Sequence, residues 1–431
     1  MSLFNTLNTG VSGLATNGLG LSVTGDNIAN LNTTGFKGST AEFRDLLLQN
    51  LGGNKGQLGM GAFTARVRQG FGQGSLATTS NAADLAIDGK GFYAVEDAEG
   101  GEFFTRAGQF SMNTDGNLVN LTGMKLQGFS AAADGSLTTT PGDITIPTAS
   151  VAGTATTSVA LQAALASGTS VVPGGPLVLS VPPVPSDLSN SANTVTTSSR
   201  VFDSLGNSHD VTLAYTRTGT NTYEFAAFVD AGEVGGTAGE LQSFSTGTLV
   251  FDGNGNLDPL TSTAPTSTAL TFSGANAQTI DFDFGLAAGD IGTINMRGNT
   301  PIDVTEVTPD GNSSGSLAGF DIGADGIITG VYSNGESRTL GQVVVASFRG
   351  EEYLTRSGNN LWQESNDSGD PAIGVPGSGG RGNTISYALE MSNVDLEVQF
   401  VKLIQSQKGY QASTRVVSTA DDMLQELLQT V

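Results

Sequence analysis

Residues 389–431 read LEMSNVDLEVQFVKLIQSQKGYQASTRVVSTADDMLQELLQTV, and Leu389, Leu396, Leu403, Tyr410, Val417, Leu424 and Val431 occupy seven successive positions of one heptad register. At 38% apolar content such a run arises by chance roughly once in a hundred, allowing for seven registers. A long helix is expected. Val394, Val398, Phe400 and Val401 widen the stripe near its start, and Val416, Ala420, Met423, Leu427 and Leu428 widen it near its end. The segment from Gln405 to Arg415 between them is largely polar, so the helix carries two apolar patches and a polar waist.

The opposite end repeats the pattern: Leu7, Leu14, Leu21 and Ile28 recur every seven residues, with Leu3, Val11 and Leu31 at the companion spacings. Gly10, Gly13, Gly18, Gly20 and Gly25 interrupt it, each opposing a helix interior by about 0.8 to 1 kcal/mol relative to Ala. Such a helix needs a packing partner. Asp26 is the one charged residue among the first 31, whereas a solvated coiled-coil flank carries Glu and Lys. Two arrangements satisfy this: an intramolecular hairpin joining the termini, or a helix pair completed by neighbouring molecules. The near absence of charge favours the second.

Between the ends, all 13 prolines lie from Pro141 to Pro376, and Asp-Gly pairs start at 88, 115, 134, 252, 310 and 325 among short Val, Ile, Phe, Thr and Tyr runs. That is hairpin chemistry, and it predicts all-β structure. Thr105-Arg106-Ala107-Gly108 is echoed by Thr355-Arg356-Ser357-Gly358, as though two halves of one domain enclose an insertion. The expected organisation is mixed and discontinuous, with α-helical, coiled-coil-like termini flanking nested, sandwich- or barrel-like β-domains. Residues 1–33 and 386–431 are expected as paired helices and 34–75 as a glycine-rich linker. A first β-domain is expected over 76–146 and 314–385, with an inserted outer β-domain over 147–313.

Composition removes most chemistries. The 431 residues carry 41 acidic and 18 basic side chains, a formal charge of −23, so no basic stripe exists to neutralise phosphates and nucleic acid is excluded as a partner. No cysteine and one histidine eliminate thiolate nucleophiles and the common zinc and iron–sulfur sites. No cofactor, metal or catalytic group is expected. The first residues lack a cationic start followed by an apolar run, and no stretch approaches 18 consecutive apolar residues. Neither a cleavable leader nor membrane insertion is expected.

The remaining motifs have bland explanations. Gly311-Asn312-Ser313-Ser314-Gly315 fits a nucleophile elbow, but His209 precedes it where that chain order requires His to follow. Asp252, Asn254, Asn256 and Asp258 begin like a calcium loop, yet Leu257 and Thr263 stand where Gly and Glu are needed. Turns explain both. Trp362 is expected in a core.

The segment Asn27-Ile28-Ala29-Asn30-Leu31-Asn32-Thr33-Thr34-Gly35-Phe36-Lys37 resembles the amino-terminal signature of bacterial flagellar rod and hook proteins. Ser392-Asn393-Val394-Asp395-Leu396, Gln407-Lys408-Gly409-Tyr410-Gln411-Ala412 and Asp422-Met423-Leu424 resemble that family's carboxy-terminal helix. Asp84 to Phe92 and Phe104 to Gly108 resemble segments shared by rod and hook members, and Phe202 to Asp210 resembles part of a hook-specific outer domain. The resemblance implies a non-enzymatic structural subunit of the flagellar hook, a flexible helical tube of identical copies that joins rod to filament and transmits torque. It implies neighbours among the rod protein, hook cap and hook–filament junction proteins. It further implies passage through the flagellar export apparatus without a cleaved signal. Asn27, Ala29, Asn30, Thr33, Gly35, Phe36 and Lys37 carry the signature. Another axial protein, such as the distal rod, is the nearest alternative; a secreted acidic β-rich adhesin or glycan binder is the alternative of a different class.

Overall fold

A computed structural model describes residues 2–50, 57–132, 135–167, 174–189, 191–286, 292–298 and 302–429. A helix stands at each end, Ser2–Ala29 and Leu396–Gln429, and nearly all regular structure between them is strand. The chain divides into two compact units: Met1–Thr148 with Gly319–Gly330 and Ser337–Val431, and Ala149–Ala318 with Val331–Glu336.

The first unit is stitched from distant halves of the sequence. Leu76–Thr78 pairs antiparallel with Ala388–Glu390, Leu85–Asp88 with Asn383–Ser386, and Phe92–Glu96 with both Glu102–Thr105 and Val345–Ser347. The two Thr-Arg-x-Gly segments meet in one sheet, because Glu102–Thr105 and Thr355–Gly358 flank Leu361–Gln363. Trp362 of that middle strand is buried with Phe92, Phe104, Val344 and Phe348, and Phe71 packs edge-on against its ring at 4.9 Å. The sole tryptophan is therefore a core residue.

Two expectations for this unit need correcting. Residues 34–75 are not simply a linker: Ser39–Asn50 and Gln57–Gln69 pair as a long antiparallel arm. Arg66 and Arg68 both bond the Glu42 carboxylate across it, at 2.9 and 2.6 Å. A lone two-stranded ribbon is marginal in water. Here it gains a support, since the Ala62 amide donates to Ser12 Oγ of the amino-terminal helix. Leu389, in register with the heptads, belongs instead to strand Ala388–Glu390. The helix starts only at Leu396, because the Asp395 carboxylate accepts the Glu397 and Val398 amides and caps it.

The second unit is a sandwich. A five-stranded antiparallel sheet runs in the order Thr194–Phe202, Ser208–Arg217, Thr222–Asp230, Leu241–Val250, Thr263–Ser267. A four-stranded sheet centres on Ser158–Leu165, which pairs parallel with Asp281–Asp283 and Thr293–Met296 and antiparallel with Ile302–Pro309. Inward-facing Leu161, Leu213, Tyr215, Phe225, Phe282 and Phe284 fill the space between them. The hairpin-forming turns are built as their composition suggests: Asp252 accepts the Asn254 and Asn256 amides, each at 2.8 Å.

Candidate assembly interface

The terminal helices lie side by side, and the glycines explain how. A Cβ at Gly10 would stand 2.9 Å from Val417 Cγ2, one at Gly13 2.8 Å from Ser413 Oγ, and one at Gly20 3.1 Å from Ser406 Oγ. On the other side, a Cβ at Gly409 would overlap the Asn17 amide. Gln399, Ser406, Ser413 and Ala420, themselves spaced by seven, form the facing row, and Asn27 Nδ2 donates to Gln399 Oε1 at 3.2 Å. Small residues thus let the two backbones approach closely, so the intrinsic helix penalty of glycine is offset by packing that larger side chains would prevent.

The leucine stripes flank this seam rather than form it. Leu7, Leu14, Leu21 and Ile28 are half-buried, as are Leu403, Val417 and Leu424, while Tyr410 is exposed with its ring edge near Gly18. Leu31 lies in the turn after the first helix, and the side chains of Leu3 and Leu428 lie outside the described ones. Away from the seam, the first turns of the carboxy-terminal helix carry an uncovered apolar patch: Leu396, Phe400 and Ile404 recur every four residues beside Val401, with Phe400 49% and Ile404 54% exposed. Phe4 and Val11 are similarly exposed on the amino-terminal helix, at 66% and 51%. A monomeric protein rarely leaves so large an apolar face in water.

The signature segment anchors the helix pair to the first unit. The side-chain amide of Asn27 closes a two-way bond with the Ser39 backbone, donating to its carbonyl and accepting from its amide, both at 2.8 Å. Ala29 ends the helix, and the Asn30 amide holds the Asp26 carbonyl while its Oδ1 accepts from Thr33 Oγ1. Gly35 has φ +69°, and a Cβ there would collide with the Arg106–Ala107 backbone. Phe36 is buried, with the Arg356 guanidinium 5.3 Å over its ring.

Lys37 completes the anchor as part of a buried triad. Its Nζ lies 2.6 Å from Glu390 Oε1 and donates to the Gly72 carbonyl at 2.9 Å. Glu390 Oε2 takes the Arg106 guanidinium at 3.1 Å, and its Oε1 also accepts the Gly74 amide. Arg106 in turn donates to the Gly89 carbonyl at 2.7 Å. Burial pushes the Lys37 ammonium below the ordinary lysine value, against the opposing pull of the Glu390 carboxylate. Asn393 adds a second tie, donating to the Gly70 and Gly72 carbonyls and accepting the Gly38 amide. Arg106 and Asn393 lie in segments the sequence singled out, but not as partners of Lys37, and Glu390 was not singled out at all; its one signal was an isolated acid between Leu389 and Met391.

The residues weighed for chemistry are placed structurally. His209, near the start of a strand, stacks on Phe272 at 3.8 Å and lies between Glu233 and Asp203, at 2.7 and 3.3 Å. Ser313 lies in irregular chain between the bridge residues Asn312 and Gly315, and its carbonyl accepts the Asn334 side chain. Among the described residues no group of three or more His, Cys, Asp or Glu is arranged to hold a metal, and no helix is long and apolar enough to cross a membrane.

Comparison with known proteins gives a consistent result along the whole chain. Sequence models described as flagella basal body rod protein, flagellar hook protein FlgE/F/G D1 domain, flagellar basal body protein FlaE D2 domain, and flagellar basal body rod FlgEFG protein C-terminal match residues 7–37, 86–164, 179–318 and 385–430. The flagellar hook protein FlgE of Salmonella typhimurium strain LT2 is 34% identical over 423 residues, spanning 97% of this chain and 98% of its own. That of Treponema pallidum strain Nichols is 33% identical over 477 residues, spanning 99% of each. The crystal structure of Helicobacter pylori flagellar hook protein FlgE2 shares the fold with a TM-score of 0.50 at 14% identity, over 73% of this chain and all of that one.

Proposed function

This chain belongs to the flagellar hook protein family and is a structural subunit of the bacterial flagellar hook, and from that premise we propose that its helical ends polymerise it. The observation that carries the proposal is the uncovered apolar face of Leu396, Phe400, Val401 and Ile404, together with Phe4 and Val11 on the neighbouring helix. The candidate interface also takes in the half-buried flanks, Leu7, Leu14, Leu21 and Ile28 on one side and Leu403, Tyr410, Val417 and Leu424 on the other. Contact between unlike patches of identical copies does not close on itself and propagates as a helix, giving a tube.

Within that account the small-residue seam holds each helix pair together, and the outward faces join pairs from adjacent subunits. The signature segment and the Lys37–Glu390–Arg106 triad fix the direction in which the pair leaves the first unit. The neighbours are further copies along the tube, with rod, cap and hook–filament junction proteins at its limits and the flagellar export apparatus as its route, without a cleaved signal. The subunit performs no catalysis; its work is mechanical. Its β-units slide over one another through uncharged polar contacts when the tube bends, and the arm from Ser39 to Gln69 travels with the helices.

Concentrated full-length protein is predicted to form curved tubes in negative-stain electron micrographs, and Phe400→Asp with Ile404→Asp to remain unpolymerised at the same concentration. Tubes of normal abundance from the double variant would refute the assignment of that face. Straight, short rods would favour a rod component instead.

A further inference from the structure

The two Thr-Arg-x-Gly segments echo one another in the sequence, and each arginine holds a different end of the chain. Arg106 of the first meets Glu390, in the strand that leads toward the carboxy-terminal helix, at 3.1 Å with both side chains buried. Arg356 of the second meets Asp26, in the last turn of the amino-terminal helix, at 3.3 Å, and here the two side chains are 38% and 47% exposed. Asp26 is the one charged residue of that helix, so this is the single ion pair its side chains can make.

Arg356 is aimed by a tight hairpin. Thr355–Gly358 turns back into Leu361–Gln363 through Asn359 and Asn360, whose φ of +50° and +59° are the left-handed pair that a two-residue hairpin turn of this kind requires. The Asn360 side-chain amide donates to the Thr34 carbonyl at 2.8 Å, and the Asn360 carbonyl accepts the Thr105 hydroxyl at 3.0 Å, which ties the turn to the signature segment and to the neighbouring strand. The guanidinium then lies over two rings, 5.3 Å from the centre of Phe36 and 5.9 Å from that of Trp362. Both rings are buried, so the cation is held at the helix end by contacts that do not involve Asp26.

The two ion pairs differ in how firmly they hold. The Lys37–Glu390–Arg106 triad is dry, and parting any pair in it strands a buried charge. The Arg356–Asp26 pair faces water, where parted charges are rehydrated and salt screens their attraction. Each partner also keeps a second contact when they part: Asp26 Oδ1 holds the Asn30 side-chain amide at 3.1 Å, and Arg356 keeps its rings. The long arm is bonded to the same helix through Asn27 and Ser12 and moves with it, so it does not fix the helix against the sheet.

We propose that Arg356 is a positioning residue that clamps the end of the amino-terminal helix through Asp26, and that this clamp is the yielding one of two anchors. With the clamp closed, the helix pair leaves the β-structure of the first unit at one angle. With it open, the pair and its arm swing about the buried triad, which stays intact. An exposed pair of this kind favours the closed form by roughly two- to fivefold, so both forms are populated. A tube that bends needs such a joint in each subunit. The clamp is a property of one chain and does not depend on the proposed self-assembly.

The chain lacks cysteine, so spin labels can be placed at will. Labels on Ala15→Cys, about three turns from Asp26, and on Glu102→Cys, in the sheet, report the angle as a distance, and both positions are exposed. Labelled protein is diluted into excess unlabelled protein, so that only distances within one chain are read. One dominant distance is expected in low salt, with a second population growing at about 1 M salt, where the screening length falls to about 3 Å. In Asp26→Asn and in Arg356→Gln the ratio of the first population to the second should fall roughly two- to fivefold and lose its salt dependence. The first unit's calorimetric transition should stay within about 2 °C of wild type, since an exposed pair adds little stability. Asp26→Arg combined with Arg356→Asp should restore the dominant distance, a rescue that a merely structural role of either residue would not show. A distance distribution in Asp26→Asn identical to wild type, a wild-type distribution without a dominant distance in low salt, or a change that the charge swap does not reverse overturns the clamp. Failure of the protein to polymerise would refute the self-assembly and leave this result standing.

Discussion

Replacing Glu390 with Gln keeps the shape of the buried triad and removes its only negative charge. Lys37 and Arg106 then remain in a site where the lysine and glutamate side chains are fully buried, at 2.6 Å, and the arginine nearly so. Breaking a buried ion pair by removing one partner costs about 3 to 5 kcal/mol. At about 2 to 4 °C per kcal/mol for a domain of this size, the calorimetric transition of the first unit should fall by roughly 6 to 20 °C at pH 7. The second unit's transition should not move. The pH dependence supplies an independent check. Because the folded-state pKa of Lys37 is lowered, the unfolded chain binds a proton that the folded chain has released in the window just below the ordinary value of 10.5. Stability therefore rises with pH across that window. In Glu390→Gln the raising pull of the carboxylate is gone, so the window extends to lower pH and alkaline buffer restores part of the loss. Exposed Glu102→Gln in the same unit serves as control. A Glu390→Gln transition within about 2 °C of wild type, or one that falls further as pH rises, would contradict the assigned role.

Gly13→Val should force the terminal helices apart, since even a Cβ meets Ser413 Oγ at 2.8 Å; overpacking of this kind costs about 1 to 3 kcal/mol. Reduced helix content and lost polymer are expected, with partial rescue by Ser413→Gly. Gly35→Ala combines a left-handed φ with a backbone collision, so it should destabilise the first unit by more than the 1 kcal/mol or so typical of a point change; calorimetry reads it as a lowered transition temperature. Asp187 is held below its ordinary value of 3.8 first by the Val184 amide and then by Ser180. Its contribution to fixing the segment from Ser180 to Val184 is present above that value and is lost as pH falls through the lower, folded-state one. Proteolysis between 174 and 186 should accelerate only in that acid range, and in Asp187→Asn at neutral pH.

Periodicity revealed both helices and turn chemistry revealed the β middle, because those signals are local. The seam between the helices was not local in the same sense. Gly10, Gly13 and Gly20 read as helix penalties until Val417, Ser413 and Ser406 stand opposite them, and those residues lie about four hundred positions away. Leu389 shows the converse error: a heptad position carried no helix because Asp395 sets the cap six residues later and Leu76–Thr78 offers strand pairing. The triad was illegible for the same reason, since Lys37, Arg106 and Glu390 are single charges in separate segments that only strand pairing brings together. The arm of Ser39–Asn50 and Gln57–Gln69 was obscured by its glycines, although Glu42, directly opposite Arg66 and diagonal to Arg68, is the cross-strand pairing a hairpin uses.

Amide hydrogen exchange at residues 396–404, compared between dilute single subunits and assembled polymer, tests most directly whether copies cover the outward helical face. Marked slowing on assembly is predicted there. Equal exchange in both states, with tubes visible in the same sample, would contradict it.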